Sequence, residues 1–235
     1  MADRIAKDTI APMVPKPNTM EQRMLAAMRP AGLDQAPARW QQQKSAATRL
    51  RLLEAAVDCL AGGGYGGLTT AQVAEMAGVS RGAMAHYFAT RLDLVTALIE
   101  HIFYQRMRLF LDDYLDSLAR RGEALLIEVA SEAHWRSVET REYAAYVQLV
   151  AAARSDRELS AVFEPSARRF DEVWITEMIE AFPQWRDQWE AMKLGNDFVT
   201  AAHMGLLLQG PVIGPQRLGE VRQLIERVVR SLYQD

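Results

Sequence analysis

The chain lacks most of what would tie it to a secreted, membrane-bound or metal-dependent existence. It has one cysteine, Cys59, among 235 residues. A single thiol cannot close an intrachain disulfide, so the fold must be held by its core. The reading is a protein of the reducing cytoplasm, with Cys59 as a small buried apolar residue. No apolar run approaches the roughly 20 residues that a membrane helix requires. The opening residues MADRIAKDTI carry no apolar stretch of the secretory type, so no leader is expected. His86, His101, His134 and His203 are far apart in sequence. No metal-ligand spacing links them to Cys, Asp or Glu, and neither a metal nor a cofactor is expected. Strand-like alternation and internal repeats are also missing. Net charge is only −3, from 27 Lys and Arg against 30 Asp and Glu. No global positive field draws the chain to nucleic acid, so any such contact must come from a local patch.

What is present is helix. Residues 1–44 stand apart, because they hold Pro12, Pro15, Pro17, Pro30 and Pro37, five of the nine prolines. The segment reads as a flexible, solvated, slightly basic extension. Within it Met20, Met24 and Met28 recur at helical spacing and allow a short helix. From Ser45 the apolar period is helical almost throughout. Leu50, Leu53, Val57 and Leu60 mark one face of a first helix, which GGGYGG ends. Thr69 opens a short second helix with Gln72 at the capping-box position. Gly78 breaks it, Ser80 caps a third, and Thr90 with Asp93 caps a long fourth helix through about residue 119. Further helices are predicted over about 123–138, 140–154, 156–182, 185–209 and 216–233, with Pro165 a possible kink.

Two motifs suggest catalysis or cofactor binding and fail on context. GVSRG, residues 78–82, fits Gly-x-Ser-x-Gly, the nucleophile elbow of serine hydrolases. An elbow needs a strand before the serine, whereas TTAQVAEMAG before Ser80 is helical. Gly62, Gly64 and Gly67 fit the dinucleotide fingerprint, but a helix precedes them where a strand is required.

The same residues suit two short helices joined by a tight turn. Counting from Thr70, Val73, Ala77, Val79, Met84 and Tyr87 fall at the apolar positions of a helix-turn-helix. Ala74 is small where the helices approach, and Gly78 sits where the turn needs a left-handed residue. Residues 45 to about 105 resemble the DNA-binding domain of the tetracycline-repressor (TetR) family. The matching residues are Gly64–Tyr65, Thr70, Val73–Ala74, Ala77–Gly78–Val79–Ser80, Gly82, His86–Tyr87–Phe88 and Arg91. Ala85 departs from the tyrosine that many members carry before the His/Tyr pair.

The resemblance implies an all-α fold. A helix-turn-helix domain over 45–101 would precede a helical ligand-binding and dimerisation domain over 102–235. It also implies Arg81, Ala83 and His86 on the groove face, with Thr70, Ser80, Tyr87 and Arg91 toward phosphates. Gly82 is a further DNA-binding candidate, and Arg49 on the first helix either reaches the DNA backbone or is solvated. Thr70 and Ser80 have plain alternative roles as caps, and Tyr87 as a packed ring. Trp135, Tyr143, Tyr146, Phe170, Trp174 and Met178 in the middle helices are candidates to line a pocket for a small apolar effector, or else ordinary core. Val199, Met204, Leu207, Leu208, Leu224, Ile225, Val228 and Val229 are candidates for a homodimer seam, or else they complete the protomer's own core. The function expected is a non-enzymatic repressor, released from a pseudo-palindromic double-stranded DNA operator by that effector. A ligand-independent regulator, or a helical enzyme with a vestigial helix-turn-helix, are the alternatives.

Overall fold

A computed structural model describes residues 17–31, 40–122 and 126–232. Ten α-helices and one 3₁₀ turn, and no strand, are found among them. The helices are α1 (Pro17–Ala27), α2 (Trp40–Gly67), α3 (Thr70–Met76), α4 (Arg81–Tyr87), α5 (Arg91–Arg121), α6 (Leu126–Val138), α7 (Arg141–Ala153), α8 (Arg157–Ala181), α9 (Trp189–Ile213) and α10 (Pro215–Ser231). The 3₁₀ turn Pro183–Gln188 joins α8 to α9, so α9 starts later than its apolar period suggests. Neither Pro165 in α8 nor Pro211 in α9 divides its helix.

Local chemistry sets the boundaries of the short helices. The Thr69 hydroxyl accepts from the Gln72 amide at 3.2 Å, which is the backbone half of the expected capping box. Ser80 accepts from the Ala83 amide at 3.2 Å. Thr90 and Asp93 make both bonds of a capping box, at 3.1 and 2.9 Å. Gly78 has φ +63°, which a glycine adopts without the steric cost of a Cβ. Gly64, at φ 69° and ψ 175°, breaks the helical path of α2 within GGGYGG.

The long helix α5 is the spine. Its first half packs against α2, and α6, α7 and α8 surround the rest. The 101/102 boundary expected between domains falls inside this unbroken helix. The most extensive packing between elements is that of α2 on α7, so the two halves share an interface as well as a helix. Leu52, Leu53, Ala56, Val57 and Leu60 of α2 are buried, whereas Leu50 lies exposed at the edge of the expected face. With neighbours on several sides, α2 buries a broader face than a simple amphipathic stripe.

The expectation of a flexible N-terminal extension is corrected for residues 17–31. The basic residues and prolines before Pro17, and Pro37, lie outside the described residues. Met20, Met24 and Met28 bring one face of α1 down on α5 and α8 and are all buried. Arg23 pairs with Glu177 at 2.6 Å, Arg169 donates to the Ala27 carbonyl, and the Ala31 amide donates to Glu100 at 3.1 Å. Apolar burial dominates this attachment, since an exposed ion pair contributes only about 0–1 kcal/mol. Met24→Ala is therefore expected to lower the free energy of unfolding by about 2–5 kcal/mol in urea melts. An unchanged midpoint would show that α1 is not docked.

Candidate nucleic-acid interface and its link to the helical core

The unit α3–turn–α4 is held from inside by Val73, Ala74, Met84 and Phe88, all buried. With Met84 and Phe88 turned inward, the 3.6-residue period puts Gly82 and His86 on the outer face of α4. Arg81, Ala85 and Ser80 are also exposed, Ala83 is half-buried, and Thr70 is half-buried at the start of α3. A Cβ on Gly82 would meet nothing within 4 Å. Internal packing therefore does not demand a glycine there, and the position is free for close approach from outside. This leaves a short ridge of one cation, one imidazole and small residues, shaped for a groove.

Three of the expected phosphate ligands have other work. Arg91 is engaged internally. Its Nε donates to the Leu68 carbonyl at 2.8 Å, Nη2 to the Tyr65 carbonyl at 2.8 Å, and Nη1 to the Tyr65 hydroxyl at 3.1 Å. Its guanidinium also lies 4.2 Å from the centre of the Tyr65 ring. Arg91 thus ties the GGGYGG break to the start of α5. Arg49 stacks 5.0 Å from the Phe88 ring with Nη1 buried, so it braces α4 rather than extending into solvent. The Tyr87 hydroxyl donates to Ser45 Oγ at 3.2 Å and fastens α4 to the start of α2. That bond sets Lys44, exposed on the neighbouring turn of α2, near the same edge; its place there was not evident from local motifs.

Behind this unit, Arg141 at the start of α7 reaches back to α2. It pairs with Glu54, with Asp58 at 2.6 Å, and with its neighbour Glu142 at 2.9 Å. His101 of α5 shares Glu54 at 2.8 Å. Burial pushes the His101 ring below its ordinary value, against the opposing pull of Glu54. Two turns of α7 therefore carry both the grip on α2 and, at Tyr143 and Tyr146, the rings that face the interior.

The residues expected to line an effector pocket spread through the helical core. Tyr143, Tyr146 and Phe170 converge, joined by Phe103 and Phe163. Trp135 faces His203 on the other side of α6, Trp174 packs edge-on to Phe110, and Met178 is buried farther along α8. At the centre of the converging rings is Arg106 of α5, only 7% exposed. Its guanidinium carbon lies 3.7, 4.7, 5.4 and 5.8 Å from the rings of Tyr146, Tyr143, Phe170 and Phe103. Nε and Nη1 are buried without an acceptor, as is the Tyr143 hydroxyl without a partner. Cation–π contacts are worth about 0.5–2 kcal/mol. Burying an ion costs several kcal/mol and requires good pairing to recover, so the rings do not supply what a carboxylate would.

Beyond Tyr143, two histidines that are distant in sequence meet, with His134 and His203 Nδ1 atoms 2.9 Å apart. Burial first, then His203 and Arg106, pushes His134 down to about 3, and burial with Arg222 pushes His203 down to about 4. Both rings are neutral, one nitrogen donating and the other accepting.

A third feature lies on the far side. Leu194, Phe198, Leu208 and Val212 of α9, with Leu224 and Val228 of α10, form an exposed apolar face, Val212 being 80% exposed. Leu208, Leu224 and Val228 were among the expected seam residues. Ile225 and Val229 take the alternative role: they are buried in the protomer's own second core with Trp135 and Leu206. Val199, Met204 and Leu207 pack partly against that core, so they too look inward.

Two short capped helices about a glycine turn, set on an all-helical body, define a helix-turn-helix regulator. Residues 52–98 match the model of the bacterial regulatory proteins, tetR family. HTH-type transcriptional regulator CymR of Pseudomonas putida is 40% identical over 67 residues, 28% of this chain and 33% of CymR. The match thus spans about a third of that relative's length. An uncharacterised HTH-type transcriptional regulator of Mycobacterium tuberculosis (strain ATCC 25618 / H37Rv) is 27% identical over 193 residues, 80% of this chain and 97% of the relative. The fold is shared with a transcriptional regulator from Rhodococcus sp. Rha1, with TM-score 0.57, 17% identity and coverage of 79% of this chain and 96% of that one. It is shared also with a TetR family transcription regulator from Marinobacter aquaeolei VT8, at TM-score 0.56, 17% identity, 81% and 97%. These similarities support a tetR-family regulator, the family match itself lying on residues 52–98.

Two outcomes are expected from these contacts. Arg91→Ala should cost about 1–3 kcal/mol of stability, because it strands two carbonyls, and should leave the salt slope of DNA binding unchanged. Arg81→Ala should stay within about 0.5 kcal/mol of wild-type stability while weakening DNA binding. Urea melts and gel shifts at several salt concentrations separate the two, and the reverse pattern would restore Arg91 as a phosphate ligand. The neutral histidine pair makes stability pH-dependent. The folded values lie below the unfolded value of about 6.5, so the stabilisation is complete above that pH and is lost as pH falls toward about 4. His203→Asn should make urea midpoints measured from about pH 7 to about pH 4.5 less steep in pH. An equal slope would place the titration elsewhere.

Proposed function

We propose that the protein is a homodimeric transcriptional repressor that acts on cytoplasmic DNA and is released by a small effector with an apolar body. The observation that carries the reading is the exposed ridge of α4, beside which Tyr87 and Arg91 are engaged internally. Arg81 and His86 are then the base-reading candidates, and Ser80 and the first amides of α4 the candidates for a phosphate. The exposed apolar face of α9 and α10 supports pairing of two copies into a four-helix seam. A two-fold operator requires such pairing, with half-sites about 34–36 Å apart or a multiple of that spacing.

The converging rings of Phe103, Tyr143, Tyr146, Phe163 and Phe170 support an effector site among α5, α7 and α8. A ligand seated there acts on α7 through Tyr143 and Tyr146, and Arg141 carries a shift of α7 to Glu54 and Asp58 of α2. The Tyr87–Ser45 bond couples α2 to α4. An effector that favours one arrangement of α7 changes the separation of the two recognition helices, and with it operator affinity.

Light scattering at micromolar concentration should report about twice the 26.4 kDa chain mass. Leu208→Glu with Val212→Glu should give a helical monomer that no longer retains the DNA flanking its own gene in a gel shift. A wild-type monomer, or undiminished DNA retention by the monomeric variant, would overturn the dimeric reading.

A further inference from the structure

Arg106 is the one described cation that is buried among aromatic rings with two nitrogens lacking acceptors. A guanidinium does not escape burial by giving up its proton near neutral pH. Besides burial, the groups that act on it are the Tyr146 hydroxyl, to which it hydrogen-bonds, and the Tyr143 hydroxyl, neither of them an anion. The nearby acid Glu142 is committed to Arg141. Among the described residues the charge has no counter-ion, although the fold brings four rings to within 6 Å of it and leaves the Tyr143 hydroxyl, fully buried, without a partner as well.

We propose that the counter-ion is the effector: a small organic monocarboxylate whose carboxylate is held by Arg106 and Tyr143 and whose apolar body lies against Phe103, Tyr146, Phe163 and Phe170. This rests on the effector-released reading given above and adds the headgroup to it. A planar guanidinium suits a planar carboxylate, and the tyrosine hydroxyl donates the further bond. A phosphate or sulfate ester fits less well, because a doubly charged group calls for a second cation. Arg222 stacks on Trp135, 4.7 Å from its ring centre, and is not among the groups that act on Arg106. His134 and His203 stay neutral and cannot stand in for it. Apolar rings around one buried cation thus select a singly charged, amphipathic acid over a neutral hydrocarbon or a polyanion.

The test pairs acids with amides of matching shape: benzoate, phenylacetate and hexanoate beside benzamide, phenylacetamide and hexanamide. Thermal melts and titration calorimetry are run on the full-length protein at neutral pH and millimolar ligand, with gel shifts on the same samples. At least one acid should raise the melting temperature, bind about tenfold or more tightly than its amide, and release DNA. Arg106→Met should erase the difference between acid and amide and raise the melting temperature of the ligand-free protein, since it removes an unpaired buried charge. Tyr143→Phe should keep the fold and weaken the acid alone.

Equal binding of acids and amides would overturn the carboxylate while leaving an effector pocket in place. An Arg106→Met protein that melts lower and still prefers acids would make Arg106 a structural stack and put the anion elsewhere. If neither class binds a wild-type protein that still retains its DNA, both the carboxylate and the effector-released reading fall and DNA binding stands. If acids bind as expected to a protein that retains no DNA, the carboxylate site stands and the regulator reading fails.

Discussion

The packing of α2 against α7 is the constraint on which the rest of the molecule depends. It joins the helix that supports the DNA-facing unit to the helix that carries the interior tyrosines. Its polar part is Arg141 between Glu54 and Asp58, where burial lowers the arginine's proton affinity but the bonds to Asp58 and Glu54 raise it further above the ordinary value. The guanidinium is 43% exposed. Pairs in that setting contribute about 0–1 kcal/mol, far less than the buried Leu52, Ala56, Leu60, Ala145 and Leu149 beside them. Apolar contact thus holds the two helices together. The fork of Arg141 fixes the register at which they meet, because its planar donors match two carboxylates only at one alignment.

Register is what a regulator of this build has to control. Beside its apolar packing on α2, the helix-turn-helix unit has few polar ties: the Tyr87–Ser45 bond to α2 and the Arg49–Phe88 stack, with the Arg91 tie to the GGGYGG break next to it. Each is a contact with α2 or with the start of α5. The position of α4 therefore follows those two helices, and both run on into the helical core. A signal need not travel along a chain of side chains. In the proposed regulator it has only to alter how α2 and α5 sit on α7.

What could be read from the sequence was what is local. Thr69, Ser80 and Thr90 cap helices because a cap acts within four residues, and Gly78 takes its turn conformation for the same reason. The helix-turn-helix was legible on those grounds, and the all-helical body from its apolar period. The partners of long charged side chains were not. Nothing near Arg91 in sequence points to the carbonyls of Tyr65 and Leu68, which reach it only after the chain has folded back. The three methionines of α1 announced an apolar face, but proline-rich surroundings obscured that a groove between α5 and α8 receives it. In the same way the period of α10 marked Leu224, Ile225, Val228 and Val229 together, and only packing divides them into an outer and an inner pair.

Arg106 shows why an apolar composition misleads about a ligand. Tyr143, Tyr146 and Phe170 read in sequence as a greasy site, and an arginine two residues from Arg108 on a long helix reads as surface. The fold reverses that arginine's environment, since α7 and α8 close over the face of α5 that carries it. The rings then set a low dielectric around the guanidinium, which strengthens any interaction an anion makes there and raises the cost of leaving the charge alone. Aromatic residues and charge are thus parts of one device. The rings give the ligand its hydrophobic contact, and by excluding water they make one carboxylate worth recognising. Because α5 also begins at the cap beneath the DNA-facing unit, the charge sits on the same rigid element whose other end supports α4.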